Sequence, residues 1–154
     1  MNMETVGLGK RWQDYEVGQT FRTIGRTITE TELVTFINCT GMTEVMFNNL
    51  EYIAEHSAIP RRVVPAALVY TTAEGLLIQA SMQETGLAFL NMELDVENPC
   101  FVDDTIHVEV EVTEVRETSK GNRGLVWTKN TVKDQNGETK IVYTPLRLVR
   151  GRED

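Results

Sequence analysis

The sequence predicts an α+β fold in which an antiparallel β-sheet wraps around a long central helix, and three observations carry that expectation. Residues 65–82, PAALVYTTAEGLLIQASM, hold a single charge, Glu74; a helix apolar on nearly every side belongs in an interior. From Gly86 onward the pattern becomes strand-like in four runs, LAFLNMELDVEN, TIHVEVEVTEV, RGLVWTKNTVKD and ETKIVYTPLRLV. Finally, the helical segments precede these strands instead of alternating with them, which favours an α+β order over a parallel α/β one.

Taken in order, TFRTIGRTI at 20–28 mixes β-branched and aromatic residues and reads as strand. Thr29, followed three places later by Glu32, forms a capping box, so a helix starts near Glu30. Leu33, Val34, Phe36 and Ile37 give that helix its apolar face, and Gly41 stops it. Asn48 or Asn49 caps a second short helix through Tyr52, Ile53 and Ala54, which closes at His56-Ser57. Loop follows at Ile59-Pro60-Arg61-Arg62, and Pro65 then stands at the natural first position of the central helix, which runs to about Met82. In the next segment Ile106, Val108, Val110 and Val112 alternate with His107, Glu109, Glu111 and Thr113, as a strand with one buried and one wet face requires. Turns fall at Asp103-Asp104, Lys120-Gly121-Asn122 and Asn136-Gly137, the last a favoured tight hairpin. This arrangement is the hot-dog fold, expected here as a single domain over residues 1–154.

Composition narrows the functional classes. Fifteen Lys and Arg against twenty-three Asp and Glu leave a net charge of -8, a field that repels a phosphate backbone and argues against nucleic acid as a partner. The N-terminal MNMETVGLGKRW has no apolar run of signal-peptide type, and no stretch reaches the roughly 20 apolar residues that span a bilayer, so no membrane role and a cytoplasmic location are expected. Cys39 and Cys100 show no C-x-x-C spacing and read as buried free thiols. With His56 and His107 as the only histidines and no H-E-x-x-H pairing, no metal is expected. Gly7-Leu8-Gly9 does not extend to a dinucleotide motif, since Trp12 takes the third glycine's place, and no G-x-S-x-G occurs.

Several stretches resemble one family over nearly the whole chain. Thr27-Ile28-Thr29-Glu30-Thr31-Glu32-Leu33 resembles the start of the first helix of MaoC-like dehydratases and (R)-specific enoyl-CoA hydratases, and Thr40-Gly41 the start of their hydratase motif. Asn98-Pro99-Cys100-Phe101-Val102-Asp103-Asp104-Thr105-Ile106 resembles their P-V-F-V-G-D-T-I segment, and Glu111-Val112-Thr113-Glu114-Val115-Arg116-Glu117 the strand after it. In the family the motif continues after T-G as D-x-N-P-x-H; without gaps, Met42, Glu44, Val45 and Phe47 take the motif's defined positions, so its aspartate and histidine are both replaced. The family's A-H-G-M at the start of the central helix corresponds to Val64-Pro65-Ala66-Ala67.

The resemblance implies a ligand, coenzyme A or carrier-protein acyl thioester, with no other cofactor. Hydrating an enoyl thioester takes a base and an acid, and neither Met nor Phe can be either. Glu44, in the motif loop, is the candidate replacement acid or base, provided it turns inward beside Met42 and Phe47. The thioester oxygen is expected at the backbone N–H groups of Ala66 and Ala67, reinforced by the helix dipole. Met42, Met46 and Phe47 would line an acyl pocket. Arg61 and Arg62, at the mouth of the central helix, suit the phosphates of coenzyme A, with Lys120 and Arg123 as weaker candidates. His56 is expected as a helix-terminal residue satisfied by backbone carbonyls, and Thr71 stands where related carrier-protein dehydratases need a helix acid. Glu74, the lone charge of the helix, supports a thioesterase alternative and is otherwise expected to be solvated or to face a second subunit. The family fold also implies a homodimer or higher homo-oligomer, or a non-catalytic subunit paired with a catalytic hot-dog chain.

Overall fold

The computed structural model of the protein describes residues 2–153. Strands β1 (Thr20–Arg22) and β2 (Arg26–Thr27) lead into helices α1 (Glu30–Thr40), α2 (Val45–Asn48), α3 (Leu50–His56) and α4 (Ala66–Ser81). The chain then runs through β3 (Gly86–Val96), β4 (Thr105–Glu117), β5 (Arg123–Lys133) and β6 (Thr139–Arg150). The sheet is antiparallel in the order β1-β4-β5-β6-β3, with the short β2 also on β4. It curves around α4, whose Leu68, Val69, Ala73, Leu76 and Leu77 join Ile106, Val108, Val110, Val132, Ile141 and Tyr143 in the main core. This is the α+β arrangement that the sequence predicts.

Local chemistry explains the boundaries. The Glu32 carboxylate accepts from the Thr29 amide at 2.9 Å, and the Thr29 side chain caps the amide three residues on, satisfying donors that a helix start leaves open. Gly41 ends α1 at φ 76°, a left-handed conformation that costs glycine little. Asn49 caps α3 through the Tyr52 amide at 2.9 Å. On β4, Ile106, Val108, Val110 and Val112 are all buried, as their alternation requires.

Three expectations need correction. Pro65 is the N-cap of α4 and not its first helical residue: its ψ of 138° is extended, so the helix begins at Ala66. The four-residue α2 lacks any side-chain cap, so no local pattern announces it. And α4 is not enclosed on every side. Ala67, Thr71 and Ile78 are exposed, because one sheet covers one face of the helix. Along the same open flank runs β3, an edge strand paired only with β6, showing Leu87, Phe89, Leu90 and Val96 to solvent.

Ahead of β1 the chain forms a strap. Gly9 and Lys10 donate to the carbonyls of Gln83 and Ser81, both at 2.8 Å, and a Cβ on Gly9 would collide with the Ser81 carbonyl. Close approach to the end of α4 thus accounts for this glycine. The cysteines divide: Cys100 is buried as expected, whereas Cys39 is exposed on α1. Burial, aided by the neighbouring Asp104 carboxylate, pushes the Cys100 thiol up to about 12, so it carries almost no thiolate at neutral pH. A thiol titration of the native protein at pH 8 should therefore count one rapidly reacting group, and two after denaturation. Replacing Cys39 with serine should abolish the rapid phase; two fast thiols in the native state would contradict the burial of Cys100.

Candidate active site

The start of α4 is the best-placed polar feature of the fold. The Pro65 carbonyl accepts from Leu68 at 2.9 Å and Val69 at 3.3 Å, and among the described residues the amides of Ala66 and Ala67 find no acceptor. Ala66 borders a cleft of about 290 Å³ whose apolar walls are Val63, Val64, Val69, Val96 and Ile141. Asn98, Pro99 and Lys140 belong to this cleft and equally to a second one, of about 400 Å³, bordered by Arg61, Phe101, Gln135 and Asn136. The two therefore adjoin, the first apolar and next to unpaired amides, the second polar.

The remaining candidates distribute around these clefts. Met42, Glu44 and Phe47 come together, with Gly41 and Thr43, on a separate depression of about 340 Å³. Glu44 is the N-cap of α2 and is exposed, so the inward turn that would desolvate it is not made within this chain. Phe47 is buried in the main core, whereas Met42 and Met46 are exposed at 38% and 36%. Arg62 is committed to the fold. Its Nε donates to the Phe47 carbonyl at 3.0 Å and its Nη1 to Glu30 at 2.7 Å, which ties α1 to α2. Arg61 makes no ion pair among the described residues; its guanidinium carbon sits 3.8 Å from the centroid of the Phe101 ring.

His56 ends α3 exposed, 5.0 Å from the Tyr52 ring and 3.7 Å from Glu55, in place of the expected backbone carbonyl partners. The Thr71 hydroxyl turns back to the Ala67 carbonyl at 2.9 Å. Lys120 and Arg123 lie at the far end of the sheet from the clefts, since Arg123 pairs with Arg150 while Lys140 and Ile141 start the same strand.

Sequence reasoning missed two buried polar clusters. Glu74 is neither solvated nor idle: Arg147 donates to it from Nη1 at 2.9 Å and from Nη2 at 2.5 Å, and the Tyr143 hydroxyl donates at 2.7 Å. Burial and the Glu74 carboxylate raise the Tyr143 phenol above its ordinary range and keep it protonated. Tyr143 and Arg147 are four apart on β6 and so share its inner face, the one hint in the sequence that they could meet a helix carboxylate. In the second cluster Lys140, 3% exposed, donates to Glu138 at 2.6 Å and to the Pro99 carbonyl at 3.0 Å, and its ammonium lies 3.1 Å from Asp134 and 4.0 Å from Asp104. It fixes the loop that separates the two clefts. Among the described residues no group of His, Cys, Asp and Glu side chains is arranged to hold a metal, and no helix is long and apolar enough to cross a membrane.

Comparison with known proteins places this architecture. The model of the FAS1-like dehydratase domain region matches residues 15–142. A MaoC-like dehydratase from Rhodospirillum rubrum superposes with a TM-score of 0.81 at 20% identity, covering 95% of this chain and all of its own. The (R)-hydratase of A. caviae involved in PHA biosynthesis superposes at 0.71 and 23% identity, over 91% of this chain and 99% of that one. A Mycobacterium tuberculosis protein with a double hot-dog fold superposes at 0.86 and 20% identity, over 98% of this chain but 47% of its own, so the present chain spans about half of it. No curated protein matches. With a family match over most of its length, the chain belongs to the family of the FAS1-like dehydratase domain region, and its sheet wrapped on a central helix is the hot-dog fold that it shares with the MaoC-like dehydratase and the (R)-hydratase.

Proposed function

We propose that the protein binds an acyl thioester, with the thioester carbonyl at the amides of Ala66 and Ala67 and without the acid/base pair of the family hydratases. The observation that carries this reading is the pair of unpaired N–H groups at the start of α4, beside an apolar cleft. Donors held by the backbone, aided by the helix dipole, polarise a carbonyl without reorganising. Met42 and Phe47 stand at the motif's Asp and His positions, and with Met46 they make that corner an apolar lining for an acyl chain. Glu44 is the carboxylate of the motif loop that could replace the lost acid or base, and because Glu74 is engaged by Arg147 and Tyr143, a thioesterase reading also depends on Glu44. Arg61, which makes no ion pair among the described residues, is the cation for the phosphates of coenzyme A, with Arg62 behind it as a structural tie. The open side of α4 and the apolar edge of β3 favour a homodimer joined along that flank.

The test pairs binding with turnover. Crotonyl-CoA should bind, yet its hydration, followed as loss of enoyl-thioester absorbance, should be absent or at least ~10²-fold below that of a dyad-bearing hydratase. An Ala66→Pro variant keeps the helix, since proline suits a first helical position after an extended residue, but removes one donor; crotonyl-CoA binding should weaken roughly three- to tenfold. Rapid hydration that vanishes in Glu44→Gln would overturn the binder reading and make Glu44 the acid or base.

A second reading is favoured by the double hot-dog neighbour, twice the length of this chain. In it the chain is the non-catalytic partner of a hot-dog subunit that keeps the Asp and His. Co-purification with such a subunit, and hydration only by the mixture, would establish it.

A further inference from the structure

We propose that Asn136-Gly137, in the turn between β5 and β6, is a site of self-modification: the Asn136 side-chain amide hydrolyses through a cyclic imide, and the carboxylate it leaves disturbs the cluster around Lys140. Of the nine asparagines in the chain, Asn136 alone precedes a glycine. The others precede residues whose side chains crowd the attacking nitrogen or, at Pro99, a residue with no N–H. The turn itself demands this glycine. Gly137 has a φ of 79°, a left-handed conformation that costs glycine little, and a Cβ built there would meet nothing within 4 Å. Backbone sterics, and not crowding, thus select the residue that leaves the preceding asparagine unshielded.

Both reacting groups are accessible. Asn136 and Gly137 are exposed, and the Asn136 side chain has no hydrogen-bond partner among the described residues. Restraint comes from Asp134: its Oδ1 accepts from the amides of Asn136 at 2.9 Å and Glu138 at 3.0 Å, and its carbonyl accepts from Gly137 at 3.1 Å, the longest of the three. Once that last bond opens, the Gly137 nitrogen gives its proton to water or hydroxide and attacks Cγ of Asn136. The N–Cγ bond closes the imide, the Cγ–Nδ2 bond breaks, and ammonia leaves with a proton taken from water. A water then opens the ring. Addition at Cγ leaves aspartate, whereas addition at the main-chain carbonyl carbon leaves isoaspartate, with the chain running through Cγ. One water is consumed and one ammonia released, with no oxidant and no cofactor.

The neighbours determine what the product does. Asp104, Asp134 and Glu138 already place three carboxylates within 4.0 Å of the Lys140 ammonium, and Asn136 shares a cleft wall with all four. A neutral amide at this position avoids a further like charge, and its hydrolysis supplies one. Isoaspartate does more, because it lengthens the main chain between the Asn136 and Glu138 amides that Asp134 Oδ1 holds together, so one of the two bonds is lost.

Ageing the folded protein at neutral and mildly alkaline pH tests this, with Asn136→Gln and the wild-type chain unfolded in urea alongside. Peptide mass spectrometry should locate the exchange of NH2 for OH at Asn136, and an isoaspartyl methyltransferase should label the same peptide. The rate should rise with pH, since the attacking amide must lose its proton, and should be roughly fivefold lower than in the unfolded chain, the factor that one ordinary hydrogen bond at Gly137 represents. Asn136→Gln, whose ring closure is slower, should take no label. Separated by anion exchange, the modified chain should melt below the fresh one, while Asn136→Gln aged in parallel keeps its melting point. An unmodified Asn136 in the folded protein, with the unfolded chain modified, would overturn the inference and show that Asp134 locks the turn. Label at Asn136 with an unchanged melting point would overturn the link to the Lys140 cluster.

Discussion

Replacing Arg147 with alanine should destabilise the protein by about 3–5 kcal/mol, the usual consequence of leaving one member of a buried ion pair without its partner. Arg147 and Glu74 are each 12% exposed, so solvent screens the pair little. Without the guanidinium, Glu74 keeps only the Tyr143 hydroxyl, at 2.7 Å, and remains a charge between helix and sheet. For a chain of this size the loss corresponds to a melting point lower by on the order of 10 °C. A double variant, Glu74→Gln with Arg147→Met, should recover most of the loss, because burying two neutral groups avoids the uncompensated charge. A single variant that melts within about 2 °C of wild type would show Glu74 to be solvated. The result bears on function as well. A carboxylate held by a two-pronged guanidinium and a phenol braces α4, whose first turn presents the Ala66 and Ala67 amides; three of its about four acceptor positions are taken by Arg147 and Tyr143.

The parts of this fold that were legible in the sequence are those that neighbours in the chain determine. The Thr29-Glu32 capping box, the Gly41 stop, the alternation from Ile106 to Val112 and the apolar length of α4 each depend on residues a few positions apart, and each appears where its pattern puts it. Glu74 could not be read that way, since Tyr143 and Arg147 reach it from 69 and 73 positions off. Nothing near Lys140 in sequence marks it as buried either, since the carbonyl of Pro99 reaches it from 41 positions off and Asp134 from across the hairpin. Adjacency also misled: Arg61 and Arg62, equivalent in sequence, point to different tasks because Glu30 and the Phe47 carbonyl claim one of them. The amides of Ala66 and Ala67 came from the resemblance, which implies a thioester at the start of the central helix, where a helix leaves its first donors unpaired.

Lys140→Met should cost a similar 3–5 kcal/mol at neutral pH, and here the pH dependence separates charge from packing. Methionine keeps the apolar stem but leaves Asp104 and Asp134 buried without a cation. In the wild type, burial alone would raise the Asp134 carboxyl, but the Glu138 amide, the Lys140 ammonium and the Asn136 amide outweigh it and hold the group below the usual carboxylate range. A folded value below the unfolded one means that its stabilisation is present above about pH 4 and is lost as the pH falls through the folded value. Burial would lower the Lys140 ammonium, yet Glu138 and Asp134 outweigh that too and raise it, so its stabilisation is full below about pH 10 and is lost as the pH rises through the folded value. The difference in urea midpoint between wild type and Lys140→Met should therefore be greatest across the neutral range. It should shrink as the pH falls below about 4, where the wild type loses the stabilisation that the lowered Asp134 carboxyl provides. A difference that stays constant from pH 3 to pH 8 would assign the loss to packing alone. Because Lys140 also holds the Pro99 carbonyl that divides the two clefts, the same variant should bind crotonyl-CoA more weakly even at temperatures where it is fully folded.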